Sequence, residues 1–173
     1  MKIRLIFFLL LASLFASSTA LGFSDKIMVG PFSASFNINT TQNLTINASE
    51  PLKQDAFTEY EFQILASPFN RELIDVVIDD YKNSTDVSES RLGDSITNRM
   101  ASKSYKATWG RVSVGGIPGM SAKIRSTGES SYIAAYSPDG MNGTGRTIVL
   151  AESFADTDMT DSFLRNLQVL RAS

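Results

Sequence analysis

From Phe32 to Ile38 every second residue is apolar, and this alternation limits what the chain can fold into more than any other feature. Strand side chains point to opposite faces in turn, so Phe32, Ala34, Phe36 and Ile38 line one face and Ser33, Ser35 and Asn37 the other. Leu44, Ile46 and Ala48 repeat the pattern. In Phe57–Leu65, Tyr60, Phe62 and Ile64 face one way and Glu59 and Glu61 the other. Leu73–Ile78 is β-branched and apolar and predicts a fourth strand, with a helix as the alternative. Ala107–Val114, Gly119–Arg125, Ser131–Ser137 and Arg146–Ser153 predict four more. Turn chemistry separates them: Thr40–Asn43, a loop over Lys82–Ser88, Gly115-Gly116-Ile117-Pro118-Gly119, Pro138-Asp139-Gly140 and Asn142-Gly143.

Two stretches carry the helical period instead. Leu92, Ile96 and Met100 predict one amphipathic face over about Ser88–Ala101, with Asp86 and Glu89 at capping-box spacing. Met159, Phe163, Leu167 and Leu170 predict a second stripe over about Asp158–Leu170, with Thr157 as N-cap. Asp158 and Asp161 in its first turn and Arg165 and Arg171 later suit the helix dipole. The expected fold class is α+β: one mostly antiparallel β-sheet with a middle helix and a C-terminal helix packed on it.

The 173 residues contain neither cysteine nor histidine. The fold must therefore hold by core packing, without disulfides. The same absence excludes a His general base, a Cys nucleophile and His or Cys metal ligands. Lys2 and Arg4 precede the apolar run Leu5–Ala16, and Ser18-Thr19-Ala20 offers a cleavage site. Residues 1–20 thus predict an export signal, and the apolar run is too short to span a bilayer. Residues 21–30 read as a flexible lead-in and 31–173 as a single domain. No transmembrane segment is expected in the mature chain. Loss of Lys2 and Arg4 would take the net charge from −2 to about −4, a balance that gives no pull toward nucleic acid.

Five Asn-X-Ser/Thr sequons follow, at Asn39, Asn43, Asn47, Asn83 and Asn142. Each is a possible glycosylation acceptor. The first three are expected on a hairpin and on the polar face of its second strand. Charge is uneven: Glu50–Asp94 holds eleven acids and four bases, whereas Ser95–Gly128 holds six bases and no acid. Arg99, Lys103, Lys106, Arg111, Lys123 and Arg125, with Trp109 among them, form a possible binding surface for a protein or glycan. Solvated strand faces whose charges pair with the acidic strands are the preferred reading of the same charges, with Trp109 as a core residue.

Four stretches carry a resemblance across most of the chain: Phe32-Ser33-Ala34-Ser35-Phe36, Glu50-Pro51 leading to Phe57-Thr58-Glu59-Tyr60, Val114-Gly115-Gly116-Ile117-Pro118-Gly119, and Thr147–Leu150 through Phe163–Val169. This layout resembles a group of small secreted proteins of methanogenic archaea without an assigned function. More distantly, the Gly-Ile-Pro-Gly turn and final helix are similar to the PsbP-like fold. That likeness implies an α+β domain that binds or scaffolds other proteins.

The candidates for catalysis are sparse. Ser121 near Lys123, Ser104 near Lys106, and the same-face pair Glu59 and Glu61 are the only arrangements of the right types. Asp156, Asp158 and Asp161 have calcium-like spacing but open a helix, where they serve as caps. Ser137–Gly145 could cradle an anion or simply close a hairpin. No cofactor, metal or catalytic residue is expected. The reading is an exported, non-catalytic binding or structural domain, secreted or at the cell surface, with an unknown protein or glycan of the envelope as partner. The alternatives are a secreted carboxylate-dependent hydrolase and a carrier of a small apolar ligand.

Overall fold

The computed structural model describes residues 22–100, 106–125 and 130–172. The expected export signal, Lys103, Ser104 and the end of the first expected helix lie outside the described residues. Eleven strands and two helices follow in the order β1 (Gly22–Val29), β2 (Phe32–Asn39), β3 (Leu44–Ala48), β4 (Leu52–Lys53), β5 (Phe57–Ala66), β6 (Arg71–Asp86), α1 (Glu89–Met100), β7 (Lys106–Val114), β8 (Ile117–Arg125), β9 (Ser130–Tyr136), β10 (Thr144–Ser153), α2 (Thr157–Asn166) and β11 (Gln168–Arg171). Among the described residues the chain is α+β, mostly antiparallel strand with two helices.

The strands form two sheets where the alternation predicted one. The small sheet runs β1-β2-β11. The large one runs β3-β5-β6-β10-β9-β8-β7, with β4 also on β5. Every pairing is antiparallel. Both faces of the large sheet are covered at its centre, which is why Ile148–Ala151 of β10 is a continuous apolar run and Leu73–Ile78 of β6 is broken only by Asp75. One face packs on the small sheet and α2: Phe62, Ile64, Val76, Ile78, Val149 and Ala151 meet Phe32, Phe36, Ile38, Phe163 and Leu167. The other packs on α1: Val77, Ala122, Ile124, Ile133, Ala135, Ile148 and Leu150 meet Leu92, Ile96 and Met100.

Several local expectations are corrected. Residues Gly22–Val29 are a strand, not a lead-in: they pair with β2 along their whole length. Asp25 interrupts the alternation, so only Phe23, Ile27 and Val29 mark the inward face. β2 and β3 are not a hairpin. β2 pairs with β1 and β11, β3 pairs with β5, and the chain crosses between sheets at Thr40–Asn43. β6 continues through the expected loop to Asp86, because β10 extends alongside it to Thr144. Ser88, not Asp86, caps α1: its Oγ accepts from Arg91 N at 3.4 Å while Asp86 accepts from Ser88 N and Oγ. Asp156, not Thr157, caps α2 by accepting from Met159 N at 2.8 Å.

The second helix also ends earlier than its stripe suggests. After Asn166 the chain becomes extended and adds to the free edge of β2, so Val169 is buried and Leu170 is 62% exposed. The β7–β8 turn fixes that ending. Gly115 N–H donates to Leu164 O at 2.9 Å, satisfying a carbonyl the helix end would leave open. Gly115 has φ +56°, and a Cβ there would sit 2.2 Å from Leu167 O. Gly115→Ala is therefore expected to cost about 2 kcal/mol or more. Gly116→Ala, also at positive φ but with open space around it, should cost about 1 kcal/mol. Equal denaturant midpoints for the two variants would show that the turn does not dock on α2.

No helix among the described residues is long and apolar enough to cross a membrane.

Candidate functional site

The register of β5, β6 and β10 lays out one half of the α1-facing surface in rows. Phe57 stands opposite Tyr81, Glu59 opposite Asp79, Glu61 opposite Val77 and Gln63 opposite Asp75. On β10, Glu152 lies opposite Asp75 and Leu150 opposite Val77. α1 lies mainly across β8, β9 and β10, so it leaves the β5–β6 half of this face partly open. The result is a cleft of about 230 Å³ lined by Phe57, Glu59, Val77, Asp79, Tyr81 and Leu150 from the sheet and Arg91, Ser95, Asn98 and Arg99 from the helix. Arg91, Ser95 and Arg99 fall at i, i+4 and i+8, one line over from the buried Leu92, Ile96 and Met100. A stripe that seats the helix thus sets the roof of the cleft.

Two acids dominate its electrostatics. Asp75 is almost wholly buried and forms an ion pair with Arg99, whose Nε also lies 3.7 Å from Glu152. Burial pushes the Asp75 carboxyl well above the ordinary carboxylate range, against the pull of Arg99, and Glu61 and Glu72 add to the rise. Among the described residues Asp75 Oδ1 has no donor, and its neighbour Glu61 is another acceptor.

Asp79 is only 9% exposed and lines the open cleft, yet it accepts no hydrogen bond and forms no ion pair within 4 Å among the described residues. Burial first, then Glu59, push its carboxyl up to about 7, while Arg91 and Arg99 oppose the shift. Arg91 does not close on it. Its guanidinium donates to Tyr81 Oη at 2.9 Å and lies over the Tyr81 ring at 5.7 Å, and its Nε is buried without an acceptor.

The residues expected from sequence to form a basic binding surface do not share a face. Arg99 belongs to the cleft. Arg111 and Trp109 lie on the same sheet face but beyond α1, on β7. There Arg111 pairs with Glu89 at 2.7 Å and Trp109 is 46% exposed. Lys106, Lys123 and Arg125 point to the opposite face, where Lys123 borders a groove with Tyr132, Asp156 and Asp161. Lys103 lies outside the described residues. The period of two that makes strands amphipathic divides a run of like charges in the same way.

The five sequon asparagines, Asn39, Asn43, Asn47, Asn83 and Asn142, are all exposed. At the Ser137–Gly145 loop, the alternative anion cradle, Asp139 Oδ2 itself accepts from Arg146 N at 2.7 Å and Thr147 N at 3.1 Å. A carboxylate of the chain already occupies those amides. Asp156 is spent on its helix cap, and no group of three or more Asp or Glu converges as a metal site among the described residues. Glu59 and Glu61 share a face as expected, and Glu59 reaches the cleft.

Sequence reasoning missed Phe57, Asp75, Asp79, Tyr81 and Arg91. One signal pointed to them. Asp75 interrupts the apolar run Leu73–Ile78 and Asp79 follows it on the same face, and acids are almost never buried without a reason. No protein-family model, curated protein or solved structure matches this chain.

Proposed function

We propose that the chain is an exported, non-catalytic binding domain at the cell surface, and that its ligand site is the cleft between α1 and the β5–β6 half of the large sheet. The observation that carries this reading is Asp79, only 9% exposed, lining an open cleft and without a hydrogen-bond donor among the described residues. Buried polar groups nearly always have partners, and an exception calls for one supplied from outside the chain. The leader sequence and the exposed sequon asparagines support the extracellular setting.

A group kept for binding rather than folding should cost stability in the empty protein. Asp79→Asn is therefore expected to raise the melting temperature by about 2–4 °C, the equivalent of ~1 kcal/mol in a domain of this size. A fall of similar size would assign Asp79 a structural role and remove the reading. Export is tested by N-terminal sequencing of the protein recovered outside an expressing cell, which should begin near Leu21. Full-length protein held in the cytoplasm would count against it.

A second reading, a hydrolase working through paired carboxyls, draws on the opposed Glu59 and Asp79. It requires turnover that disappears in both Glu59→Gln and Asp79→Asn.

A further inference from the structure

We infer that the cleft recognises a small organic cation, an amine bearing an apolar group, whose ammonium lies between Glu59 and Asp79 and whose apolar part rests on Phe57 and Tyr81. This inference rests on the cleft being the ligand site.

Three observations carry it. First, Glu59 and Asp79 are direct cross-strand partners on one face. Like charges placed so are destabilising, and no described cation closes on either carboxylate. A ligand ammonium would supply the missing charge and the missing donors together. Second, the adjacent register pair on the same face is aromatic. Phe57 and Tyr81 are tilted at 40° with centroids 5.2 Å apart. Aromatic faces attract cations, and they attract desolvated ones most. Third, the fold already displays this chemistry, since the Arg91 guanidinium lies over Tyr81.

The remaining surroundings disfavour an anion. Arg99 is engaged by Asp75 and Glu152, and Arg91 by Tyr81, with its Nε buried away from the opening. Behind the lining stand Glu61, Glu72, Asp75 and Glu152, all acidic. The volume of about 230 Å³ limits the ligand to a small molecule.

Proton linkage follows from the groups around Asp79: Glu59 on β5, Tyr81 on β6, and Arg91 and Arg99 on α1. The cation and a proton compete for the same carboxylate, so binding should strengthen as the pH rises through the Asp79 value.

The test uses the mature chain and four probes: benzylammonium, its neutral isostere benzyl alcohol, benzoate and calcium. Binding is followed by calorimetry and by amide NMR shifts. Benzylammonium is expected to shift the resonances of Phe57, Glu59, Asp79 and Tyr81, and to bind about tenfold more tightly at about pH 8 than at about pH 5.5. Asp79→Asn and Glu59→Gln, both nearly isosteric, are each expected to weaken it about tenfold or more while leaving the remaining spectrum intact. Equal affinity for benzyl alcohol, or unchanged affinity in both variants, would overturn the inference. Benzoate or calcium binding at these residues in place of benzylammonium would overturn the cation class and leave the cleft as a site. If no probe shifts any cleft resonance, the site assignment itself falls.

Discussion

Raising the pH from about 4 to about 7 is expected to destabilise the fold by several kcal/mol. Asp75 and Asp79 are the cause. Burial is the largest influence on each, and it lifts both carboxyls from the ordinary 3.8. Between that value and the folded value, the native chain holds protons that the unfolded chain has released. Stability from this source is complete below the unfolded pKa and is lost as the pH rises through the folded one, near 7 for Asp79. Each group contributes roughly 2–4 kcal/mol. The charges that face them are Glu59, Glu61, Glu72, Glu152, Arg91 and Arg99. Asp86 acts in the opposite sense. Bonds from Ser88 lower its pKa, so its contribution is present above the ordinary range and fades in stronger acid. Denaturant midpoints measured across this range should peak in mild acid. The double variant Asp75→Asn/Asp79→Asn should flatten the decline. A wild-type midpoint that climbs steadily from about pH 4 to about pH 7 would show that neither acid is protonated in the native state.

Phe163→Ala should produce the largest loss of any single substitution, about 3–5 kcal/mol. Its ring is fully buried, 5.5 Å from the Phe36 ring, which in turn stacks at 6.0 Å on Phe62. The three rings join α2, the small sheet and the large sheet. Removing the first leaves a cavity that two sheets and a helix would all have to move to fill. The expected fall in melting temperature is about 10 °C. Leu170→Ala is the matched control. A helix continued to Leu170 would bury this side chain, whereas β11 turns it to solvent, so the change should stay within about 0.5 kcal/mol. A large loss at Leu170 together with a small one at Phe163 would mean that α2 runs on and packs differently.

The buried faces were legible in the residue periods alone. Phe32, Ala34, Phe36 and Ile38 are all in the core, as their alternation requires, and so are Leu92, Ile96 and Met100 at helical spacing. Those periods follow from backbone geometry, which each residue feels locally. Which strands are neighbours was settled by contacts across the fold. Nothing local to Gln168–Arg171 says that β2 has a free edge, and nothing local to Gly22–Val29 says that β2 has another. Backbone hydrogen bonds made across the fold settled both segments as strands.

The cleft belongs to the second kind. Glu59 and Asp79 are twenty residues apart in the chain and opposite each other in space because β5 and β6 pair in one register. Lys106, Arg111, Lys123 and Arg125 are close in sequence, yet the pleat sends them to two faces. A strand's side-chain period is visible in a single segment, but its register is a property of two, and the site is made of register.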